Sequence, residues 1–245
     1  MEKAEISARY VHTIEKELGE SGREELVRRV LAFAERQFEI KKNLGRGKAA
    51  DVWQGDSPDF KRCVCIKTNY NPGASVNTLE KEFHLQEKFL AAGVRAPQAI
   101  MFAQGDNEAN SVQHGILVME ALSGQNVEEY FMSLKKDGQQ LGFEQYRQLV
   151  DGIKEQIEIA HQHQLYHRDL HLRNIMIGRD GKSYLIDFGD AVEALGTEDE
   201  GEIYRQKVTR DGSEAVVVFN RDENVIASLA KTAAELDLIS KPIRA

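Results

Sequence analysis

The spacing of apolar and polar residues changes along the chain and divides it into segments of different predicted structure. Residues 3–36 carry apolar side chains at helical spacing, with a break near Gly19 and a capping box formed by Ser21 and Glu24. From residue 37 the apolar residues occur in short runs punctuated by glycine and proline, namely "QFEIKKNL", "ADVWQG" and "RCVCIKT". This pattern predicts a small β-sheet that follows a helical extension.

Helical spacing returns after the third predicted strand. "NTLEKEFHLQEKFLAAG" has a candidate N-cap at Asn77 and a stop at Gly93, so it predicts one helix. "GILVMEAL" predicts a further strand, and "FEQYRQLVDGIKEQIEIAHQHQL" predicts a long amphipathic helix. Near the end, the pair Asp211-Gly212 predicts a hairpin and residues 222–238 a last helix. A small sheet followed by helices predicts an α+β protein with two lobes.

The stretch "YHRDLHLRNIMIGRDGKSYLIDFGDAV" places the polar residues Asp169, Asn174 and Asp187 between apolar runs. We predict a β-hairpin here with a two-residue turn at Asp180-Gly181. That register puts Asn174 directly opposite Asp187, with Cβ atoms about 4.5–5.5 Å apart. An amide oxygen and a carboxylate so placed predict a site for a small hard cation, with Asp169 in the loop beside the same cavity. Taken alone, the stretch fits a plain hairpin with a solvated loop as well.

Composition and charge narrow the classes of function. Apolar residues make up 41% and charged residues 29%, which is typical of a folded domain. The formal net charge of -8 argues against nucleic acid or an anionic membrane as the main partner. Cys63 and Cys65 alternate on one predicted strand, which excludes a disulfide framework and a four-cysteine zinc site. The sequence contains no apolar run long enough to span a membrane, so we expect a cytoplasmic protein. A specialised secretion system could still deliver it into a host cell, because such a signal would not be visible in this pattern.

Five elements in sequence order resemble those of the protein-kinase-like superfamily. "LGRGKAADVW" resembles the glycine-rich loop, with Gly45, Gly47 and Val52 in place and Ala50 at the third glycine position. "VCIK" resembles the strand that carries the phosphate-binding lysine, followed by its helix, "HRDLHLRN" resembles the catalytic loop, and "IDFGD" resembles the DFG element. "GKAADVW" is especially similar to the loop of RIO-type atypical kinases.

The resemblance implies a bilobal protein-kinase-like fold. We expect a small antiparallel-sheet N-lobe at 37–122, a shortened helical C-lobe at 123–245 and an N-terminal helical extension at 1–36. Only 56 residues follow Gly189, and no APE element is found among them. A trimmed C-lobe of this kind resembles those of RIO and Bud32-type kinases and of compact kinases injected by bacterial pathogens.

The resemblance also assigns chemistry to individual residues. Phosphoryl transfer needs mostly positioning and neutralisation of phosphate charge. Lys67 would bind the phosphates of ATP, and a glutamate on the next helix would hold that lysine; we favour Glu82 over Glu80 because it lies beside the apolar face. Asp169 would accept the proton of the attacking hydroxyl, or orient it. The remaining site residues expected from the resemblance are Asn174 and Asp187 for Mg²⁺, with Mn²⁺ as the alternative, Arg173 for the γ-phosphate, Cys65, Met119 and Met176 for the adenine, Asn126 for the ribose, and the main chain of Glu120 and Leu122 at the hinge.

Departures from the common pattern leave three hypotheses for function. His171 stands where serine/threonine kinases usually carry lysine, and "DLHxxN" also occurs in aminoglycoside, choline and lipopolysaccharide kinases. We favour a compact protein kinase that phosphorylates Ser/Thr of protein substrates, including itself. The alternatives are a small-molecule or sugar kinase, marked by a deep acidic acceptor pocket, and a pseudokinase that binds nucleotide as an interaction module.

Overall fold

The first part of the chain forms an antiparallel sheet and one helix. In the computed structural model the described residues are 38–46, 50–57, 62–69, 79–107, 112–195, 200–210 and 212–239. The elements are β1 (Glu39–Arg46), β2 (Ala50–Ser57), β3 (Arg62–Asn69), α1 (Leu79–Ala91), β4 (Ala99–Asn107) and β5 (Val112–Glu120). The five strands pair in the order β1-β2-β3-β5-β4.

Helix α1 packs on the sheet through one apolar face. Leu79 and Phe83 of the helix form a buried cluster with Ala99, Leu117 and Met119 of the strands. The helix ends just before Gly93, whose φ of 94° lies in the left-handed region that favours glycine. The predicted helix and its glycine stop are therefore confirmed, whereas the predicted N-cap, Asn77, lies outside the described residues.

The second part of the chain contains most of the helices. Its helices are α2 (Val127–Lys136), α3 (Phe143–Gln162), α4 (Glu200–Ile203) and α5 (Asn224–Glu235). Its strands are β6 (Gly124–Asn126), β7 (Leu165–Tyr166), β8 (Ile175–Gly178), β9 (Ser183–Leu185), β10 (Val192–Glu193), β11 (Arg205–Arg210) and β12 (Ser213–Val218), with a 3-10 turn at Leu172–Asn174. They form three small sheets, β6-β8-β9, β7-β10 and β11-β12.

A polar contact ties helix α3 to the hairpin of β8 and β9. Gln156 of α3 is fully buried, and its side-chain oxygen accepts the backbone N–H of Arg95 at 2.6 Å. The guanidinium of Arg95 donates to the carbonyl oxygens of Ser183 at 3.0 Å and Gly152 at 3.3 Å. Because buried polar groups are costly without partners, these bonds fix the hairpin on the helix.

Several predicted elements of this part are confirmed. Helix α3 covers most of the predicted long helix, and α5 lies within the predicted 222–238. Arg210 pairs with Ser213, so the hairpin of β11 and β12 has the two-residue loop predicted at Asp211-Gly212. The predicted extension at 1–36 lies outside the described residues.

The predicted register of the hairpin of β8 and β9 is wrong by one residue. Ile175 pairs with Leu185, and the N–H of Ile186 donates to the carbonyl of Asn174 at 3.0 Å. Asn174 is therefore opposite Ile186 and not opposite Asp187. The loop has three residues, 179–181, instead of two. The N–H of Gly181 donates to the carbonyl of Gly178, and Gly181 has a φ of 75°, as is common in three-residue hairpin loops.

The chain divides into two compact units. Among the described residues, the first unit comprises those up to Glu87 together with Pro97–Ala121, and the second comprises Lys88–Ala96 and the residues from Leu122 onwards. The segment Lys88–Ala96, which we had placed in the N-lobe, groups with the second unit. No helix in the described part of the chain is long and apolar enough to cross a membrane.

Candidate active site

The predicted nucleotide contacts of the first unit share one face of its sheet. Gly45 pairs with Val52, and Val52 pairs with Lys67 on the next strand. Cys65 lies two residues before Lys67 and pairs with Met119 of β5. Since directly paired residues and residues two apart project from the same face, these positions form one patch across β1, β2, β3 and β5.

An ion pair between the sheet and α1 fixes the lysine of this patch. Lys67 Nζ lies 2.8 Å from each carboxylate oxygen of Glu82. The side chains are only 14% and 4% exposed, so the pair is shielded from solvent. Glu80 is 55% exposed and lies 4.0 Å from His84, its neighbour one turn along. The structure therefore pairs Lys67 with Glu82, the residue we favoured, and not with Glu80.

The end of β5 holds the predicted hinge. The N–H of Glu120 donates to the carbonyl of Gln98 at 2.9 Å, and the N–H of Gln98 donates to the Glu120 carboxylate at 3.2 Å. The N–H of Glu120 is thus occupied, so a ligand could use only its carbonyl. Leu122 belongs to the second unit, and Gly47 lies outside the described residues.

In the second unit, a buried carboxylate holds the loop that contains Asp169. Asp222, which is 2% exposed, accepts the backbone N–H groups of His167 and Arg168 at 2.8 Å each. His161 Nε2 lies 3.0 Å from the same carboxylate. Sequence reasoning missed Asp222, because an acidic residue at the start of a helix is typical of a simple N-terminal cap.

The pKa shifts of His161 and Asp222 favour a charged pair at this contact. Burial lowers the pKa of His161, but the hydrogen bond to Asp222 and the charges of Asp222 and Glu223 outweigh it, so the net shift is upward. Burial raises the pKa of Asp222, but its bonds to His161 and to the two loop amides hold the pKa below the ordinary value for Asp. Both shifts favour the ionised forms of the two residues.

Asp169 itself is held by Asn174. The amide nitrogen of Asn174 donates to the backbone carbonyl of Asp169 at 2.9 Å and to its carboxylate at 3.3 Å. His171 Nε2 is 3.7 Å from the same carboxylate. Burial raises the pKa of Asp169; the charge of His171 opposes this, and the carboxylates of Asp190 and Asp187 raise it further. The last effect shows that Asp187 acts on Asp169 electrostatically within this unit.

The residues predicted to hold the metal fit a hard divalent cation. With its nitrogen bound to Asp169, the buried side chain of Asn174 presents its amide oxygen, for which the described residues supply no hydrogen-bond donor. Asp187 has a φ of 65°, in the left-handed region, which non-glycine residues adopt mostly at functional sites. No group of three His, Cys, Asp or Glu side chains converges in the described chain, and Mg²⁺ commonly uses only one or two carboxylates together with phosphate oxygens and water.

Three other predicted residues of the second unit have structural contacts of their own. Asn126 pairs with Met176 between β6 and β8, and its side chain caps α2 by accepting the N–H of Glu129 at 2.8 Å. Arg173 is 68% exposed and lies 3.6 Å from Glu128. Exposed pairs of this kind are worth about 0–1 kcal/mol, so Glu128 does not restrain Arg173 strongly.

Comparison with known proteins decides the family. The model of the protein kinase domain matches residues 38–211, a span that contains the Lys67–Glu82 pair, Asp169, Asn174 and Asp187. This chain belongs to the protein kinase family. The α+β fold, with an antiparallel sheet first and helices later, is that of a protein kinase domain.

Relatives of this chain include serine/threonine kinases of bacteria and yeast. It is 28% identical over 161 residues to a probable serine/threonine-protein kinase of Streptomyces coelicolor, covering 65% of this chain and 23% of the relative. It is 28% identical over 160 residues to a probable serine/threonine-protein kinase of Lactococcus lactis, covering 65% of this chain and 24% of the relative. It is also 28% identical over 189 residues to a casein kinase I homolog of Saccharomyces cerevisiae, covering 75% and 32%. The chain thus spans 23%, 24% and 32% of the length of these three relatives.

Proposed function

We propose that this protein is an ATP- and Mg²⁺-dependent kinase that phosphorylates serine or threonine in proteins, including itself. The observation that carries the proposal is the shielded ion pair of Lys67 and Glu82, at 2.8 Å, on the same sheet face as Val52 and Cys65. Water would screen most of the attraction between a solvent-exposed lysine and a phosphate group. A shielded lysine that is held in one geometry can bind the phosphate without first being ordered.

We assign the following roles in the transfer. Lys67 binds the phosphates of ATP, and Glu82 keeps its side chain extended. Asn174 and Asp187 hold the divalent ion, which supplies positive charge to the phosphate oxygens. Asp169 accepts the proton of the substrate hydroxyl or orients that hydroxyl, and its raised pKa suits proton transfer better than an ordinary exposed carboxylate does.

The other assignments rest on the family pattern. Arg173 is weakly paired and exposed, so it remains our proposal for contact with the γ-phosphate. Cys65, Met119 and Met176 are proposed to contact the adenine, Asn126 the ribose, and Glu120 and Leu122 the adenine edge through the main chain. Cys63 and Cys65 are not linked by a disulfide, which fits the proposed cytoplasmic location.

Labelled ATP tests the proposal. The protein is incubated with γ-labelled ATP and Mg²⁺, alone and with a cell lysate, and the label is followed in protein and in small molecules. We expect label in the protein itself and in lysate proteins, lost in Asp169→Asn and in Asp187→Asn. Asp151→Asn, a matched change at an exposed position of α3, should leave transfer intact.

The three hypotheses give different results in this assay. Label in the small-molecule fraction alone would favour a small-molecule kinase. Nucleotide binding without transfer to protein, sugar, alcohol or water would favour a pseudokinase. Retained ATP affinity in Asp169→Asn with loss of transfer would support the division of roles, and loss of binding in this variant would contradict it.

A further inference from the structure

The arginine beside Asp169 has an unusual conformation that its own residue type does not explain. Arg168 has a φ of 68°, in the left-handed region, and is only 4% exposed. Non-glycine residues stay in this region only where surrounding contacts hold them there. The conformation of Arg168 sets the direction of the next residue, so whatever holds Arg168 also orients Asp169.

The backbone and the side chain of Arg168 are held by different partners. Asp222 accepts the backbone N–H at 2.8 Å. The guanidinium lies over the ring of Phe219, 3.4 Å from its centroid, and donates to the side-chain oxygen of Gln206 at 3.4 Å. Nε has no hydrogen-bond partner among the described residues, and the negative charges of Asp190 and Asp222 also act on the guanidinium. The ring face of Phe219 is therefore in direct contact with a buried cation that needs compensation.

Phe219 is itself fixed by the segment that surrounds it. It follows directly after β12, and its N–H donates to the carbonyl of Tyr204 at 2.7 Å, which closes the base of the β11–β12 hairpin. The ring packs against the buried cluster of Ala194, Ile203 and Tyr204. Tyr204 in turn receives the backbone N–H of Asp222 on its hydroxyl at 3.3 Å. The hairpin base therefore contacts the side chain of Arg168 directly, through Phe219, and its backbone indirectly, through Tyr204 and Asp222.

We propose that Phe219 is a positioning residue, whose ring face holds the Arg168 guanidinium and so keeps Asp169 in its working orientation. The effect on catalysis rests on the proposed kinase function, whereas the effect on the loop does not. The cation–π contact is strong here because the guanidinium is removed from water and sits directly above the ring. The competing interpretation is that Phe219 only fills space against Tyr204.

Three substitutions separate these interpretations. Phe219→Leu keeps an apolar side chain of similar size and removes the ring face. Phe219→Trp keeps a ring face and offers a stronger one. Phe143→Leu makes the same chemical change at a phenylalanine at the start of α3 that is 45% exposed and serves as the matched control.

The first measurement follows the loop without any assay of activity. In wild type we expect the side-chain protons of Arg168 to resonate upfield of other arginine side chains, because they lie over an aromatic ring. Amide hydrogen exchange of His167 and Arg168 should become about tenfold faster in Phe219→Leu, stay near wild type in Phe219→Trp and be unchanged in Phe143→Leu. An Arg168 signal at the ordinary position in wild type would overturn the proposal even if the variants failed to fold.

The second measurement follows phosphate transfer. We expect kcat to fall about tenfold in Phe219→Leu with the KM for ATP unchanged, and to return to within about twofold in Phe219→Trp. Equal losses in the Leu and Trp variants would favour space filling and overturn the proposal. If wild type transfers no phosphate while the exchange results are as expected, the kinase function fails and the positioning role stands. If wild type is active and Phe219→Leu matches it in both measurements, the positioning role fails and the kinase function stands.

Discussion

Replacing Asp222 by asparagine tests how strongly the loop that carries Asp169 depends on one buried carboxylate. One oxygen of Asp222 accepts the N–H of Arg168, and the other accepts the N–H of His167 and contacts His161. Asparagine has the same size but replaces one oxygen with an NH₂ group, which can only donate. In either orientation, therefore, at least one loop amide loses its acceptor.

The cost follows from these contacts. The less damaging orientation leaves the N–H of Arg168 unsatisfied, which costs about 1–3 kcal/mol for a buried donor. The bonds to His167 and His161 lose their charge assistance, which weakens each by about 1 kcal/mol. We therefore expect Asp222→Asn to lower the free energy of unfolding of the second unit by about 3–5 kcal/mol, the range known for breaking a buried ion pair.

Urea unfolding followed by far-UV circular dichroism measures this loss. Glu223→Gln is the matched control, because Glu223 contacts the other nitrogen of His161 at 3.2 Å but is 53% exposed. An exposed pair of this kind contributes about 0–1 kcal/mol, so the control should stay near wild type. If Asp222→Asn costs no more than Glu223→Gln, the carboxylate does not hold the loop and the reasoning is refuted.

Three further predictions concern other contacts. Glu82→Gln should lower kcat/KM on the order of 100-fold through loss of lysine positioning, while Glu80→Gln, measured in the same transfer assay, should have no effect. His161 has a raised pKa in the folded state, so its ion pair is fully present below about pH 6.5 and is lost as pH rises through the raised value. The stability difference between wild type and His161→Gln in urea should thus be largest near pH 6 and shrink toward pH 9; a constant difference would contradict the charged pair. Gly124→Ala should lower the free energy of unfolding by about 3 kcal/mol or more, because the added Cβ would lie 2.0 Å from a carbonyl oxygen of β8. Gly45→Ala is the control, since its Cβ would meet nothing within 4 Å, and it should show no such loss in the same urea titration.

Helices α1, α3 and α5 and four strands of the larger sheet could be predicted because their signals are local and periodic, whereas β4 and α2 were not predicted. The apolar residues of α1 recur at helical spacing and are the ones that pack, and Gly93 takes the left-handed conformation that a stop requires. The ion pair of Lys67 with Glu82 was also predictable, since the apolar face of α1 decides which acidic residue points toward the sheet.

The two Asp-Gly hairpins show that a turn dipeptide does not determine the length of the hairpin loop. The same dipeptide gives a two-residue loop at Asp211-Gly212 and a three-residue loop around Asp180. In the second case the carboxylate of Asp180 accepts the N–H of Lys182 at 3.1 Å and the hydroxyl of Tyr184 at 3.0 Å, which favours the longer turn. Pairing of β8 with β6 on its other side also fixes the strand. A dipeptide does not contain that information.

By itself, the sequence determined the position of the strongly periodic elements, such as α1, α3 and α5, the polar residues that could carry phosphoryl-transfer chemistry, and the resemblance to the kinase family. Only the tertiary structure decided the register of the β8–β9 hairpin, the hydrogen bonds that the buried Asp222 accepts, and the contact between Arg168 and the ring of Phe219. Asp222 and Phe219 contact residues about 50 positions away, which they meet only after the chain has folded, and the register depends both on contacts within the turn and on the pairing of β8 with β6. The periodicity of apolar residues depends only on residues close together in sequence. The interactions of a buried carboxylate, or of a cation over an aromatic ring, are stabilised by partners distant in sequence and by the exclusion of water.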